Sequence, residues 1–389
     1  MSMRTLHSVV KRGALYWDRA LLPEEAYRAR LARLQAQIVA AGDDAWLLMG
    51  DVERHGCVVY ATNFMPRVRS ALAYVPQAGE PVLLANISTR DIPAARAIAF
   101  VEDIRAFGKI SKDLLALLDE RAANGARIGL CGVADAMPLP EWRIIAQDRP
   151  DIEWRERDSQ LAAMRVNKDG SEASAVRAAS NIASRALDKA GAALRAGMNL
   201  RASVAELERL CRAQGAEDVR FLVASGAQTG VALRPPHDHM IAAGDSVLAF
   251  VAVQNQRYWG EAARTFSIGP PTSGAKDVHT RCAAALEAML NACRPGVAAC
   301  DVAAAADAAL GDLSASAALY GLGGGIGLDH EEGARIGTSS TGRLEAGETL
   351  ALRVVAHGAG AGAALAQTVL VTQTGVEPFA AVPASITIL

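Results

Sequence analysis

One pattern occurs twice in the second half of the chain: a helix, a glycine-containing turn, a second helix and then strands. The segment RAGMNLRASVAEL, which begins at Arg195, aligns with RPGVAACDVAAA, which begins at Arg294, when one residue is slipped. A unit of this kind cannot bury the apolar faces of its helices alone. Two copies therefore pack their helices on one face of a shared sheet and leave a cleft between the halves, which predicts an α/β (α+β) fold.

Helix and strand signals place the boundaries of each copy. The spacing predicts a helix over 168–196 and a second helix capped at Ser203, followed by the strand VRFLVAS and a hairpin that turns near Asn255. The second copy is predicted to have a helix over 280–293 and another that Asp301 caps, then the strands TLALRVVA and ALAQTVLVT.

The first half alternates helices and buried strands. A helix over 23–41 precedes the strand AWLLMG, ALAYVP and PVLLA flank QAGE as an antiparallel hairpin, and the helix KDLLALLDERAANG leads into the strand IGLCG. The segment DRPDIEWRERDSQLAAMRVNKDG is polar, is predicted to be extended and then helical, and is the best candidate for the linker. We therefore predict an N-terminal extension over 1–24, a compact α/β domain over 25–160 and a second domain over 161–389.

The composition is that of a two-domain protein with an ordinary surface. A chain of 389 residues that is 51% hydrophobic exceeds what one core usually supports. A net charge of −2 gives no reason to expect nucleic acid or an anionic membrane as a partner, and no run of 18 or more apolar residues occurs. Six dispersed cysteines without a CxxC pair, and no signal-peptide pattern, predict a cytoplasmic protein with free thiols.

A series of motifs in consistent order extends over most of the chain. It comprises R-V-N-K-D-G-S-E, the helix pair, an S-G loop, G-D, R-T-F-S-I-G, G-G-G-I-G-L-D-H-E, L-E-A-G and T-V-L-V-T, with Y-A-T-N-F and the ALAYVP hairpin in the first half. In these motifs the chain resembles the creatinase, aminopeptidase P and prolidase family. The resemblance implies a duplicated pita-bread domain preceded by a creatinase-like N-terminal domain.

Most metal ligands of that family are absent from this sequence. In its peptidases two metal ions are held by two Asp, one His and two Glu. The resemblance implies that the corresponding positions here are Phe250, Glu261, Gly324, Arg353 and Ala366. Glu261 alone retains a carboxylate, and Arg353 places a permanent positive charge where a metal belongs. We therefore expect neither a metal nor another cofactor.

The glycine run GLGGGIGLDHEEG is open to two other interpretations. A phosphate cradle is one, although the run matches neither GxGxxG nor GxxxxGK[ST] and lacks a lysine. A rebuilt single-metal site is the other. His237 and His239 in RPPHDHM put two imidazoles on one face of an extended segment, and His330-Glu331-Glu332 is the candidate source of an added carboxylate.

The residues that remain in the cleft favour acid–base chemistry without metal. Creatinase is the precedent that the resemblance supplies, because it works without metal and has Glu at the position of Glu261. Its catalytic His corresponds to Arg234, whereas His237 and His239 follow shortly after. We predict an enzyme that cleaves or rearranges a C–N bond in a small nitrogen-containing carboxylate, with His239, His237 or His330 as the base.

Substrate binding is assigned to cations and their neighbours in the cleft. Arg353 and Arg335 are expected to fix the substrate carboxylate by bidentate bonds, while Glu261 holds a cationic or N–H-bearing group. The remaining substrate-binding candidates are Arg234, Phe250, His357, Arg67 and Arg69. Since the N-terminal domain of creatinase-like dimers reaches into the partner's cleft, the resemblance implies a homodimer in which Arg67 and Arg69 meet a substrate carboxylate.

Two other functions stay open. One is a binding module, a peptidase relative that grips a peptide or small acid without turning it over. The other is an Xaa-Pro metallopeptidase with a rebuilt metal site. Glu261 also has a purely structural interpretation, a buried ion pair with Arg264 or Arg353. Convergence of Glu261, a His and an Arg on a water-accessible pocket favours catalysis, and filling of the cleft by apolar side chains such as Phe250 favours binding.

Overall fold

We describe a computed structural model that covers residues 15–67, 69–358 and 360–389. Most of the predicted extension over 1–24 lies outside these residues. The chain divides into two compact units, one ending at Met164 and the other running from Arg165 to Leu389. The predicted boundary at residue 160 falls in the same helix as this division, which spans Asp158–Val166.

The first unit contains one mixed sheet with helices around it. Its helices are α1 (Glu24–Ala40), α2 (Gly56–Thr62), α3 (Ile92–Ile98), α4 (Ile110–Arg121), α5 (Val133–Ala136) and α6 (Leu139–Asp148), and α7 (Asp158–Val166) runs across the division. Its strands are β1 (Ala45–Asp51), β2 (Ser70–Pro76), β3 (Val82–Ala85), β4 (Asp103–Ala106), β5 (Arg127–Cys131) and β6 (Glu153–Glu156), in the sheet order β4-β3-β2-β1-β5-β6.

The predicted elements of this unit are confirmed, with one correction. Strands β2 and β3 form the expected antiparallel hairpin, and β5 pairs in parallel with β1. The segment predicted to be extended and then helical has that structure, with Glu153–Glu156 as the edge strand β6 and Asp158–Val166 as α7. Because β6 pairs in parallel with β5, its residues belong to the sheet of the first unit and not to a free linker.

The second unit contains the predicted duplication. Its elements are α8 (Gly170–Asp188), α9 (Leu200–Ala213), β7 (Asp218–Ser225), β8 (Ser246–Asn255), β9 (Tyr258–Ser267), α10 (Ser273–Ala292), α11 (Ala299–Leu310), α12 (Ser314–Ala318), β10 (Gly323–Gly325), β11 (Thr349–Gly358), β12 (Ala361–Val371), β13 (Val376–Pro378) and β14 (Thr387–Ile388). The sheet order is β10-β11-β12-β9-β8-β7, with three strands from each copy. At its centre β9, the last long strand of the first copy, lies next to β12, the last long strand of the second copy.

Both predicted helix caps were wrong. Asn199 caps α9 by accepting hydrogen bonds from the amides of Arg201 and Ala202, whereas the Ser203 hydroxyl donates to the Ala193 carbonyl. Helix α11 begins at Ala299, so Asp301 lies in its first turn. In each case a helix that starts earlier satisfies its first amides before the predicted cap is reached.

Each copy has its own apolar core beneath its helices. Alternate residues of β8 from Val247 to Val253 pack with α8 and α9, and alternate residues of β11 from Leu350 to Ala356 pack with α10 and α11. Because strand side chains alternate between faces, the residues between them point to the opposite face. That face carries Glu261 and Arg353.

The two copies meet where β9 and β12 are in register, at Ala263↔Ala366 and Ala262↔Gln367. Beside this pairing Thr368 Oγ1 accepts a hydrogen bond from the Glu261 amide (2.9 Å) and donates one to the Glu261 carbonyl (3.1 Å). A threonine side chain therefore takes the place of a backbone partner at the centre of the sheet. No helix among the described residues is long and apolar enough to cross a membrane.

Candidate active site

The sheet register lines up the positions that the family resemblance singled out. Phe250 lies opposite Ala263, Ala263 opposite Ala366, and Ala366 opposite Arg353, which makes one row across four strands. Glu261 is two residues from Ala263 and so lies on the same face in the next row. The strand pairing alone thus places these side chains together.

Glu261 forms the centre of the site. Its side chain is fully buried, and its Oε1 lies 2.7 Å from His330 Nε2 and 3.1 Å from Arg353 Nη2. Neither Glu261 oxygen makes a hydrogen bond of ordinary geometry among the described residues, so the contacts at Oε1 are ion pairs, and Oε2 has no such contact. The predicted ion pair with Arg353 is confirmed, whereas Arg264 bonds instead to Ser184 Oγ and the Ala381 carbonyl.

The surroundings keep Glu261 ionised. Burial alone opposes the charge, but Arg353 and the contact with His330 outweigh it and hold the pKa of this carboxyl below its usual value. An ionised carboxylate beside Nε2 favours the tautomer of His330 that carries its proton on Nε2. Nδ1 is then the nitrogen with a free lone pair. The indole of Trp259 meets the imidazole edge to face at 5.4 Å and restrains the ring.

The residues at the positions that the resemblance assigns to metal ligands do not fit a dinuclear metal centre. Phe250, Gly324 and Ala366 offer no donor atoms, and Arg353 sits 3.1 Å from the remaining carboxylate. The Arg353 guanidinium also lies 5.8 Å from the ring of Phe250. Nowhere in the described ranges do three or more His, Cys, Asp or Glu residues come together in a way that could hold a metal ion. A fixed guanidinium repels a divalent cation, so the donor set disagrees with the family's chemistry.

The histidines of the RPPHDHM loop lie apart from this centre. His237 Nδ1 contacts the Pro235 carbonyl at 3.2 Å, and His239 Nε2 is 3.9 Å from Asp245 Oδ2. Within the described part of the chain, neither histidine bonds to Glu261 or His330. The expectation that His237 or His239 acts beside Glu261 is therefore not met, because the loop directs both rings toward its own neighbours.

His357 is also engaged elsewhere. Its Nδ1 contacts the Thr229 carbonyl at 2.5 Å and its Nε2 contacts Tyr320 Oη at 3.0 Å. Tyr320 Oη in turn accepts a hydrogen bond from the Leu233 amide. Both ring nitrogens thus have protein partners, and a substrate contact of His357 stays a prediction.

The predicted arginines differ in their placement. Arg353 is largely buried, whereas Arg335 is exposed and paired with Glu331 at 2.8 Å. Arg234 is exposed, and its backbone pairs with Val223. The positions of Arg67 and Arg69 in the first unit, half-buried and exposed, leave their proposed role in a partner's cleft a prediction.

An ion cluster next to His330 was missed by sequence reasoning. Glu332 is bound by Arg165 through one oxygen and by Lys168 Nζ at 2.5 Å through the other, and Arg165 also binds Asp329 at 2.6 Å. Burial opposes ionisation of Glu332, but the two cations lower its pKa to about 2. We call Arg165, Lys168, Asp329 and Glu332 the clamp. The sequence signal for this cluster lies in the motif R-V-N-K-D-G, which places two cations just ahead of helix α8.

A cavity of about 280 Å³ opens beside Arg353. It is lined by Gly323, Gly324, Gly325, Glu331, Glu332, Gly333, Ala334, Arg335 and Arg353. Arg353 therefore joins the buried Glu261 to a space that a small molecule can occupy.

Comparison with known proteins agrees with this arrangement of strands. Residues 174–373, just over half of the chain, match the metallopeptidase family M24, and the chain belongs to this family. An Xaa-Pro dipeptidase of Pyrococcus horikoshii is 25% identical over 187 residues, which cover 47% of this chain and 53% of that protein. An uncharacterized peptidase of Staphylococcus aureus is 24% identical over 229 residues and is covered to 64%. The matched stretch thus spans about half to two thirds of these relatives.

Solved structures confirm the pita-bread fold. An X-Pro aminopeptidase of Thermotoga maritima superposes with a TM-score of 0.83 at 23% identity, covering 92% of this chain and 99% of that one. An Xaa-Pro dipeptidase of Bacillus anthracis gives 0.81 at 20% identity, covering 93% and 100%. The predicted fold class and family are therefore correct.

Proposed function

We propose that this M24 protein is a metal-independent hydrolase that cleaves a C–N bond in a small nitrogen-containing carboxylate. The observation that carries the proposal is the triad of Glu261, His330 and Arg353, in which Glu261 Oε1 lies 2.7 Å from His330 Nε2 and 3.1 Å from Arg353 Nη2. A carboxylate that orients an imidazole is the arrangement that acid–base catalysis requires.

His330 is the base in this proposal. Its Nδ1 takes a proton from water, and the resulting hydroxide attacks the carbon of the C–N bond. The imidazolium then returns the proton to the departing nitrogen as the bond breaks, so one water is consumed and an amine is released. Glu261 is fully buried and holds the Nε2 side of the ring, so its role is to position His330 and stabilise the imidazolium rather than to bind substrate.

Arg353 binds the substrate carboxylate, and Arg335 closes over it from the rim of the cavity. A guanidinium offers paired donors that match a carboxylate. We further propose a cytoplasmic homodimer in which Arg67 and Arg69 of one protomer reach the cleft of its partner. The inferred ligand is a small molecule, without a nucleic-acid or membrane partner.

A binding module is the second candidate, and two observations favour it. Phe250 is buried next to Arg353, and Glu261 is closed off from solvent. Such a site can hold an acid without reacting with it. An Xaa-Pro peptidase with a rebuilt metal site remains the third candidate, supported by the relatives' names alone.

Turnover of N-acyl and N-amidino amino acids and of Xaa-Pro dipeptides, with elemental analysis of the same chelator-treated sample, tests the proposal. We expect hydrolysis that chelator leaves unchanged, and a loss of about 10²–10⁴-fold in kcat for His330→Asn, as for removal of a general base. Loss of turnover in His237→Asn or His239→Asn rather than in His330→Asn contradicts the assignment of the base.

Two further outcomes decide between the candidates. Binding of these compounds without turnover supports the binding module. Stoichiometric divalent ions together with chelator-sensitive peptidase activity overturn metal independence.

A further inference from the structure

A strip of backbone occupies the space where Gly324 would carry a side chain. Residues 332–336, which we call the strap, pair with strand β10, and the Gly325 amide donates to the Ala334 carbonyl at 2.7 Å. A Cβ placed on Gly324 would lie 2.7 Å from the Ala334 carbonyl oxygen and 3.0 Å from Arg335 Cα. Because real Cβ atoms do not approach backbone oxygens so closely, an imidazole at this position has no room.

The neighbouring glycines show that the strap is packed tightly along its length. A Cβ on Gly325 would lie 1.8 Å from the Glu332 carbonyl oxygen, and one on Gly327 would lie 2.0 Å from Glu332 Oε1. The clamp fixes Glu332 through Arg165 and Lys168. The strap is therefore anchored, and moving it aside breaks buried ion pairs.

The strap forms one wall of the cavity, and Arg353 supplies its cation. Glu331 is paired with Arg335, and Glu332 with the clamp, so the acidic side chains of the lining are already neutralised. Arg353 Nε is buried without a hydrogen-bond partner in the described part of the chain. The volume of about 280 Å³ lies just below the ~300–1,000 Å³ of sites for drug-sized ligands.

We propose that the strap and Arg353 form a binding pocket for the carboxylate of a small monocarboxylate, at the place where the family has a metal-binding histidine. Gly324 then determines specificity, because its missing side chain admits the strap. This inference takes the ligand class from the proposed function, but it concerns binding and stands apart from turnover.

The first test measures binding of acetate and of acetamide, its neutral isostere, by calorimetry at low salt. We expect acetate to bind and acetamide not to bind. Arg353→Met should weaken acetate binding at least about tenfold, as expected for loss of a charge-assisted hydrogen bond. Gly324→Ala should also weaken it, because the added Cβ displaces the strap that forms one wall of the cavity. Gly337→Ala is the matched control, since its Cβ makes ordinary contact with Ser340 Oγ at 3.5 Å, and it should bind acetate like the parent.

Several outcomes overturn the pocket. These are equal affinity for acetate and acetamide, unchanged affinity in Gly324→Ala, or unchanged affinity in Arg353→Met. Turnover without acetate binding retains the proposed function and rejects the pocket. Acetate binding without turnover retains the pocket and rejects the proposed function.

The second test restores the family's ligands. The triple variant Phe250→Asp, Arg353→Glu, Ala366→Glu is compared with the quadruple variant that adds Gly324→His, and bound metal is measured after dialysis. We expect the added histidine to give no gain in metal content, because the strap occupies its space. Two divalent ions per chain in the quadruple variant alone overturn the inference. If either chain fails to fold, Gly324→His alone decides, since it should lower the unfolding midpoint well below that of Gly337→His.

Discussion

Two buried carboxylates in the second unit each contact two basic side chains, yet they differ in how their oxygens are used. Glu332 gives one oxygen to Lys168 and the other to Arg165. Glu261 gives the same oxygen to His330 and Arg353 and leaves Oε2 without a partner in the described ranges. The first arrangement is satisfied and the second is not.

This difference separates a structural ion pair from a reactive site. A buried carboxylate with both oxygens bonded stabilises one conformation, whereas an unsatisfied oxygen costs free energy that the fold must offset elsewhere. Unsatisfied buried groups of this kind are typical of functional sites. The clamp therefore holds the loop that carries His330, and Glu261 acts on the ring that the loop delivers.

Removing the charge of Glu332 should have the largest effect on stability. Glu332→Gln leaves Arg165 and Lys168 buried without their shared counterion, and loss of one partner of a buried ion cluster costs about 3–5 kcal/mol. Denaturant unfolding measures the change. The matched control is Glu206→Gln, whose exposed pair with Arg209 at 2.7 Å is screened by solvent and should contribute little to the free energy of unfolding. Equal effects of the two substitutions would show that the clamp is not structural.

Glu261→Gln should destabilise the protein less than Glu332→Gln, by about 1–3 kcal/mol, although each carboxylate contacts two basic side chains. The substitution removes an anion that stabilises Arg353, but it also relieves a buried carboxylate with an unsatisfied oxygen. The free energy of unfolding at neutral pH compares it directly with Glu332→Gln. A larger loss for Glu261→Gln than for Glu332→Gln would contradict the distinction between the two sites.

The contribution of the clamp to the free energy of unfolding should decrease at acid pH. The pKa of Glu332 is lowered from 4.5 to about 2 in the folded protein. A carboxyl with a lowered folded pKa contributes stability that is present above pH 4.5 and is lost as pH falls toward 2. The difference between the parent and Glu332→Gln, measured by unfolding from pH 6 downward at about one-unit steps, should therefore shrink in this range. A constant difference would show that the charge of Glu332 is not the cause.

The smallest effect is expected at the rim of the cavity. Glu331 and Arg335 form an exposed pair at 2.8 Å, so Glu331→Gln should change the free energy of unfolding by about 0–1 kcal/mol. The same variant removes the ion-pair partner of Arg335. Its affinity for acetate should therefore equal that of the parent protein or be slightly higher. A loss of stability comparable to that of Glu332→Gln would place Glu331 in the clamp.

The fold was largely predictable from the sequence because its signals are local or repeated. The helix pairs, the hairpin near Asn255 and the strands around Arg353 follow from apolar spacing and turn residues. The predicted pairing of Glu261 with Arg353 is also confirmed, because strand register fixes which side chains face each other.

The rest depends on side chains brought together from distant parts of the chain. Arg165 meets Glu332 and Asp329 across more than 160 residues, and no spacing rule predicts such a contact. The choice of His330 over His237 and His239 depends on loop conformation. The strap could not be predicted either, since a glycine run shows that side chains are absent and not what fills their place.

The hydrogen bonds of Thr368 at the centre of the sheet lie where the two copies of the second unit join. Each copy has its own apolar core, and the strands β9 and β12 join them through a short register that Thr368 extends. The second unit is thus an internal dimer fused by the segment between β9 and α10. Cutting that tether should yield two fragments able to reassemble by complementation, with Glu261 on one fragment and His330 and Arg353 on the other.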